Sequence, residues 1–135
     1  MRVLFWYCDH FTWQPVLKTL PDAPPAESGK YDQAVVAFVH IEPHDIEPDS
    51  TAETKLVKNA KWLARKWKVR LIILHSFSHL GETKAAPEEA LSLLGRARVR
   101  IAAAEYQCRQ TPYGYFNDIS ISAPGHPLAR VYKEF

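Results

Sequence analysis

His75 and His79 frame the segment His-Ser-Phe-Ser-His at the end of an apolar run. Two imidazoles with two hydroxyls between them offer hydrogen-bonding, proton-transfer or metal-ligand chemistry. Ligands of open α/β sheets bind outside the carboxyl ends of strands, which places this segment where function is expected. A metal would need both rings to converge with a third ligand. On a strand, positions four apart lie too far apart for that unless the chain turns. His40 and His44 repeat the spacing, again without a clear further ligand, so no metal is assigned. His75 reads as a hydrogen-bonded core histidine, and His79, beside Leu80-Gly81, reads as the functional one.

Two further segments carry chemical potential. In Thr111-Pro-Tyr-Gly-Tyr-Phe-Asn117, Pro112 fixes a turn, Gly114 permits close backbone approach and three aromatics surround it. Aromatic faces beside glycine can seat a flat base such as adenine, and they can equally pack into a core. In Ala123-Pro-Gly-His-Pro-Leu-Ala-Arg130, a turn leads into a helix start whose N–H groups can face an anion. No Gly-rich phosphate loop, GxSxG elbow or paired-carboxylate pattern is present, and no cofactor is implied.

The elements that must position these groups follow from composition and pattern. A chain of 135 residues with 47% hydrophobic and 24% charged residues is long enough for one domain with its own core. No apolar run approaches the roughly 18 residues of a membrane span. MRVLFWYCDHF lacks a basic n-region and a cleavage site and reads as a first strand, so a cytoplasmic protein is expected. Net charge of +2 excludes a global polyelectrolyte signal, and any nucleic acid must be met by a local patch. Cys8 and Cys108 have no CxxC spacing and read as buried thiols.

Val3–Cys8, Gln33–Glu42 and Val69–His75 read as strands, the second buried on both faces. Leu20–Lys30, with three prolines and Gly29, reads as a loop or hairpin tip. Ser50 and Glu53 form a capping-box pattern before a helix to about Trp67. That helix has an apolar face through Leu56, Ala60, Leu63, Ala64 and Trp67 and a basic face of Lys58, Lys61, Arg65 and Lys68. Strand, helix, strand predicts a parallel pair. Pro87 followed by Glu88-Glu89 starts a second helix, buried along Ala90, Leu94, Ala97, Ile101 and Ala104. Gln107–Thr111 and Phe116–Ser122 read as strands, and Pro127 begins a last short helix, PLARVYKEF. The fold class is therefore α/β, a single domain over residues 1–135. It has a mixed sheet, two main helices and a short C-terminal helix.

Taken in order, the segments resemble the N-terminal editing domain of archaeal-type threonyl-tRNA synthetases, whose fold is shared with D-aminoacyl-tRNA deacylases. The likeness runs from MRVL and Asp9 through VVAFVHIE (35–42), FSHL (77–80), Pro87, PYGYF (112–116) and ISAPGHPLA (121–129). It implies hydrolysis of mischarged aminoacyl-tRNA, with seryl-tRNA(Thr) as the first candidate. The reaction would use backbone groups, an ordered water and the terminal ribose hydroxyl instead of a nucleophilic side chain or metal. Position by position, it implies His79 and Asn117 as catalytic residues. Ile41 would be a wall against the amino-acid side chain. Phe77 and Ser78 would hold the substrate, Tyr113 and Phe116 would lie near the adenosine, and Arg130 would also touch substrate.

Three of these positions depart from the family pattern. Asn117 stands for a lysine, Arg130 for a glutamate that holds the substrate's amino group, and Phe116 for a tyrosine. Both a deacylase and a non-catalytic module binding aminoacyl-adenosine, tRNA or a synthetase fit such a pocket. The partners implied are the aminoacylated 3′ end of tRNA, with a threonyl-tRNA synthetase and a homodimer left open, and no membrane. Lys58, Lys61, Arg65 and Lys68 are the candidate tRNA-backbone contact, against the commoner role of a solvated helix face. Aminoacylation motifs are absent, so the expectation is a free-standing relative acting in trans or an excised synthetase domain. The eight pocket positions from Ile41 to Arg130 are expected to converge on one cleft.

Overall fold

The apolar run that opens the chain does not stop at Asp9-His10. It continues as strand β1 (Arg2–Lys18), 17 residues long, in the computed structural model, which describes residues 1–135. β1 pairs antiparallel with β2 (Gly29–His40) from Arg2↔His40 to Trp13↔Gly29. A Cβ at Gly29 would stand 2.3 Å from the Trp13 ring, so glycine lets the strand ends close. The proline-rich stretch forms the connection between them, as its composition predicts. β2 runs parallel to β3 (Leu71–Ser76), and β3 parallel to β4 (Gln107–Gln110).

The other edge of β1 is shared. Its second half, His10–Lys18, pairs with β5 (Tyr115–Ser122), and its first half, Arg2–Trp6, with β6 (Arg130–Glu134). The sheet order is β4-β3-β2-β1-β5, with β6 beside β5 on β1. The C-terminal segment thus departs from the expected helix. Pro127–Ala129 makes one 3-10 turn and the chain then becomes a strand. An unpaired edge on β1 offers Arg130–Glu134 five residues of backbone partners, which outweighs the local helix signal of a proline start.

Helices α1 (Ala52–Trp67) and α2 (Pro87–Ala103) both pack on one face of the sheet. The main core joins Val3 and Phe5 of β1, Val35, Ala37 and Val39 of β2, and Ile72 and Leu74 of β3 to the apolar faces of both helices. Trp67 stacks flat on Tyr7, ring centroids 3.9 Å apart, and its indole N–H donates to the Leu128 carbonyl at 2.9 Å. The expected capping box is not formed. Ser50 Oγ accepts from Ala52 N–H, while Glu53 reaches across to Arg96 and Arg100 of α2, each at 2.7 Å. Two guanidiniums offer Glu53 stronger partners than one backbone N–H. Burial works to raise the Glu53 pKa, but the hydrogen bonds from Arg100 and Arg96 prevail and hold it below its ordinary value. Neither helix is long and apolar enough to cross a membrane.

A smaller cluster of Cys8, Phe11, Trp13, Ala34, Val36, Phe38 and Ile73 fills the opposite face, edged by half-buried rings including Trp6, Tyr31 and Phe77. Cys8 and Cys108 are free and buried, and burial pushes each thiol up to about 12, which leaves both unreactive.

Three buried polar groups tie the layers together. The Met1 ammonium is fully buried and donates to Asp45 Oδ1 at 2.7 Å, with Glu42 Oε2 at 3.8 Å and His44 Nε2 at 3.5 Å. Glu42, His44 and Asp45 bring donor atoms within 4.8 Å of one another, a grouping a metal could use, yet the cation they surround is the chain's own ammonium. The other two groups are His40 and His75, considered with the cleft below. Asp45→Ala should cost about 3–5 kcal/mol in urea unfolding, the scale for stranding one partner of a buried pair. Asp45→Asn, which keeps an acceptor, should cost less.

His75 bonds to Thr111 Oγ1 through Nδ1 at 2.8 Å, and burial, helped by His79, depresses its pKa to about 4. The unfolded imidazole takes up its proton near the ordinary 6.5, so between pH 6.5 and 4 the unfolded state binds more protons. Stability from this group is therefore lost as pH falls through that window, by roughly 3 kcal/mol at about 1.4 kcal/mol per unit. Wild type should lose more urea resistance between pH 7 and pH 4 than His75→Gln. Parallel losses would remove His75 from the acid response.

Candidate functional site

β3 ends at Ser76, but Phe77 N–H still donates to the Val39 carbonyl at 2.9 Å before the chain turns through Ser78 and His79. The loop from Phe77 to Ala85 is then held at several points. His40, wholly buried, accepts from Leu80 N–H at Nδ1 (3.0 Å) and donates from Nε2 to the Thr83 carbonyl (2.6 Å). An amide N–H only donates and a carbonyl only accepts, so these bonds fix the neutral Nε2–H tautomer. Arg2 Nη1 holds the Leu80 carbonyl at 2.9 Å, and Ala85 N–H donates to the Ile41 carbonyl at 2.9 Å. This imidazole thus shapes the loop that carries His79.

The facing wall is the Thr111–Asn117 segment. Thr111 N–H donates to the Leu74 carbonyl at 3.0 Å, which seats the wall against β3. Gly114 has φ +86°, and a Cβ there would stand 2.9 Å from Ala23 Cβ. Both features require glycine. Its carbonyl accepts from Thr19 N–H at 2.8 Å, and Tyr115 Oη donates to the Pro24 carbonyl at 2.6 Å. The long β1–β2 connection therefore braces the aromatic wall from behind.

Between the walls lies a cleft of about 340 Å³, at the small end of the roughly 300–1,000 Å³ of ligand sites. Six of the eight expected positions line it: Phe77, Ser78, His79, Tyr113, Phe116 and Asn117. His75 forms its floor, with Ser76, Lys84, Ala85 and Pro87 on the His79 side. His79 is exposed and stands edge-on to Phe77, ring centroids 4.9 Å apart. Tyr113 is half-buried, and burial raises its phenol above its ordinary value, so the hydroxyl stays protonated.

Ile41 and Arg130 do not join the cleft. Along β2, odd-numbered residues face the helices, and Ile41 continues that parity into the main core at 3% exposure. It serves the site through its carbonyl instead. Arg130 opens β6 opposite Trp6, with its guanidinium 5.6 Å from the Trp6 ring centre. Trp6 and Phe38 lie between it and Phe77, in ring-to-ring steps of 6.2 and 4.9 Å. The change from helix to strand at the C-terminus explains the displacement, because pairing with Arg2–Trp6 fixes Arg130 along the first half of β1.

Lys58, Arg65 and Lys68 are exposed and Lys61 is half-buried, and none of the four forms an ion pair. α1 runs back from the carboxyl end of β2 to the start of β3, so this face leads away from the cleft mouth. Lys84 joins the lining without any motif to announce it, and the VVAFVHIE segment that contains His40 gives no sign that this imidazole holds the loop.

What the cleft can do follows from its groups. His75 is neutral at physiological pH, since its pKa lies at about 4. No serine hydroxyl bonds to an imidazole: His75 is engaged by Thr111 and His40 by backbone. A Ser–His nucleophile is therefore not assembled. The Oδ1 of Asn117 is buried without a hydrogen-bond partner, while its Nδ2 donates weakly to the Tyr115 carbonyl at 3.4 Å. An orphan acceptor at a cleft wall is a place for a water or a hydroxyl.

Known proteins resemble this chain along its full length. The model of the archaea-specific editing domain of threonyl-tRNA synthetase matches residues 1–135. A threonine–tRNA ligase of Thermococcus kodakarensis is 29% identical over 98% of this chain, which spans 22% of that relative. The chain thus covers about a fifth of the length of the curated relatives it matches. Among solved structures, a c-Myc DNA unwinding element binding protein superposes with TM-score 0.67 at 10% identity, covering 100% of this chain and 99% of the other. A probable eukaryotic D-amino acid tRNA deacylase gives 0.53 at 12% identity, covering 98% and 97%. At these identities the structures establish the shared fold, the one drawn from the sequence. On the full-length family match, this chain belongs to the archaea-specific threonyl-tRNA synthetase editing-domain family.

Proposed function

We propose that the cleft hydrolyses the ester of a mischarged aminoacyl-tRNA, with seryl-tRNA(Thr) as the preferred substrate. The observation that carries this reading is the convergence of Phe77, Ser78, His79, Tyr113, Phe116 and Asn117 on one small cleft in a chain of the editing-domain family. The task is discrimination by one methyl group. A synthetic pocket that accepts threonine excludes serine by only about 1–3 kcal/mol, so a second, tighter site is needed.

With no activated side-chain nucleophile, water is the attacking group. It adds to the ester carbonyl, the tetrahedral oxyanion forms, and the ribose oxygen leaves with a proton. Asn117 Oδ1, unpartnered in the cleft wall, is the acceptor that can orient that water or the neighbouring ribose hydroxyl. His79, exposed at the rim on a turn fixed by His40, supplies hydrogen bonding to substrate. The adenine ring finds aromatic surface at Tyr113 and Phe116. The unpaired cations of α1 match the phosphates of tRNA in this reading, away from the reacting ester.

The test is deacylation of seryl-, threonyl- and D-aminoacyl-tRNA panels. Wild type should release serine selectively. His79→Ala should slow it by roughly 10- to 100-fold without loss of folding, the value of about 1.4–3 kcal/mol for a hydrogen bond to a charged or reacting group. Binding of tRNA with no turnover of any ester would replace the hydrolase with a binding module.

Asn117→Lys removes the Oδ1 acceptor and should lower the seryl-tRNA rate, whereas a rise would assign the role of this position to a cation instead. Arg130→Glu lies outside it, so the double variant should show the sum of the two effects and no coupling. A coupling free energy above about 0.5 kcal/mol would bring Arg130 back to the substrate.

A further inference from the structure

Lys84 is the single lysine among the residues that line the cleft, and no aspartate, glutamate or arginine lines it. Its ammonium forms no ion pair and no hydrogen bond with the protein. Glu82 and Glu88, its acidic neighbours along the chain, are exposed and lie outside the lining. A free lysine is ordinarily a solvated, wandering group, but the backbone under this one is gripped on both sides. The Thr83 carbonyl is held by His40 Nε2 at 2.6 Å, and Ala85 N–H is held by the Ile41 carbonyl at 2.9 Å. Ala85 is itself buried, which seats the segment against the core. The cation is therefore delivered to the cleft rim from a fixed point.

From this arrangement we propose that Lys84 binds the phosphodiester on the 5′ side of the terminal adenosine and so sets the cleft's preference for a nucleotide over a nucleoside. The inference rests on the proposed deacylase reading for the identity of the nucleoside. The floor of the cleft is His75, neutral and engaged with Thr111, so the reacting ester meets no fixed charge there. The rim, where Lys84 is exposed, is the place for a group that stays hydrated and anionic. A lysine suits a phosphate as a point charge that does not demand planar geometry. The aromatic residues and the lysine line the same cleft, so a base against the one and its phosphate against the other can be held together. In this role Lys84 is a positioning residue and takes no part in bond making.

The probe is adenosine 5′-methylphosphate, which carries the diester, compared with adenosine, by equilibrium binding at low and high salt. Wild type should prefer the phosphate by about twofold to fivefold at low salt, less at high salt. Lys84→Ala should abolish the preference and leave adenosine binding unchanged, while Lys84→Arg should keep most of it. With seryl-tRNA, Lys84→Ala should raise KM and leave kcat alone. Equal affinities in wild type, no binding of the phosphate probe, or a preference that survives Lys84→Ala would each overturn the assignment. A phosphate preference lost in Lys84→Ala in a protein that hydrolyses no ester would sustain Lys84 and sink the deacylase. Brisk deacylation with an unchanged KM in Lys84→Ala would do the reverse.

Discussion

Strand β1 gives hydrogen bonds on both edges along most of its 17 residues, and every other strand except β3 and β4 depends on it directly. One edge is filled by β2. The other is divided between two segments from the end of the chain, β5 and β6, which meet β1 at different heights. That division determines where the site can be. β5 brings Asn117 and Phe116 beside the second half of β1, close to the Thr111–Gly114 turn and the exit of β3. β6 takes Arg130 to the first half. A strand half as long would leave one of these segments without a partner and its backbone groups unsatisfied.

The second constraint is the buried imidazole of His40. Both ring nitrogens are consumed by backbone of one loop, and burial makes each bond costly to lose. The loop bears His79 at one end and Lys84 at the other, so a single side chain in the strand fixes the spacing of two candidate ligand groups. Arg2 adds a third grip on Leu80, and its partner Glu42 joins Asp45 around the Met1 ammonium. The N-terminus, the end of β2 and the cleft wall form one connected polar network at one end of the sheet. Networks of this kind rigidify when every member is satisfied. Preorganised donors and acceptors are what a water-mediated ester hydrolysis requires in place of a nucleophile.

Local pattern made much of this fold legible. The near-continuous apolar run of β2, the helical spacing in α1 and α2 and the proline that opens α2 all encode their own secondary structure, and the fold follows them. The misses share a cause. Asp9-His10 looks like the end of a strand, yet β1 runs through it because its neighbours lie elsewhere in the sequence. PLARVYKEF has the look of a helix start, and the free edge of β1 overrides it. Ser50 and Glu53 match a capping box, but Glu53 finds two arginines more than 40 residues away. The same rule divides the site. Phe77, Ser78, His79, Tyr113, Phe116 and Asn117 lie in compact motifs and could be picked out. Nothing around Lys84 marks its place, and the VVAFVHIE segment around His40 does not reveal its loop-holding role, which exists only once the loop closes over β2.

The electrostatics of the cleft narrow its chemistry further. On the proposed reading, the substrate ester brings an α-ammonium group, a phosphate and, in the transition state, an oxyanion. The lining offers a lysine, two imidazoles, hydroxyls and amides, and no carboxylate. The nearest substitute for a carboxylate is the orphan Oδ1 of Asn117, a dipole without net charge. An ammonium group therefore gains little on entering, while an anion gains a solvent-screened attraction to Lys84 at the rim. On the proposed reading, binding energy comes mainly from the nucleotide end of the substrate and is shared by ground and transition states, so it lowers KM and leaves kcat unchanged. Discrimination between acyl groups then falls to shape. The loop that His40 fixes can impose a shape only as finely as it is rigid, so the selectivity of the cleft depends on the same buried imidazole that builds its wall.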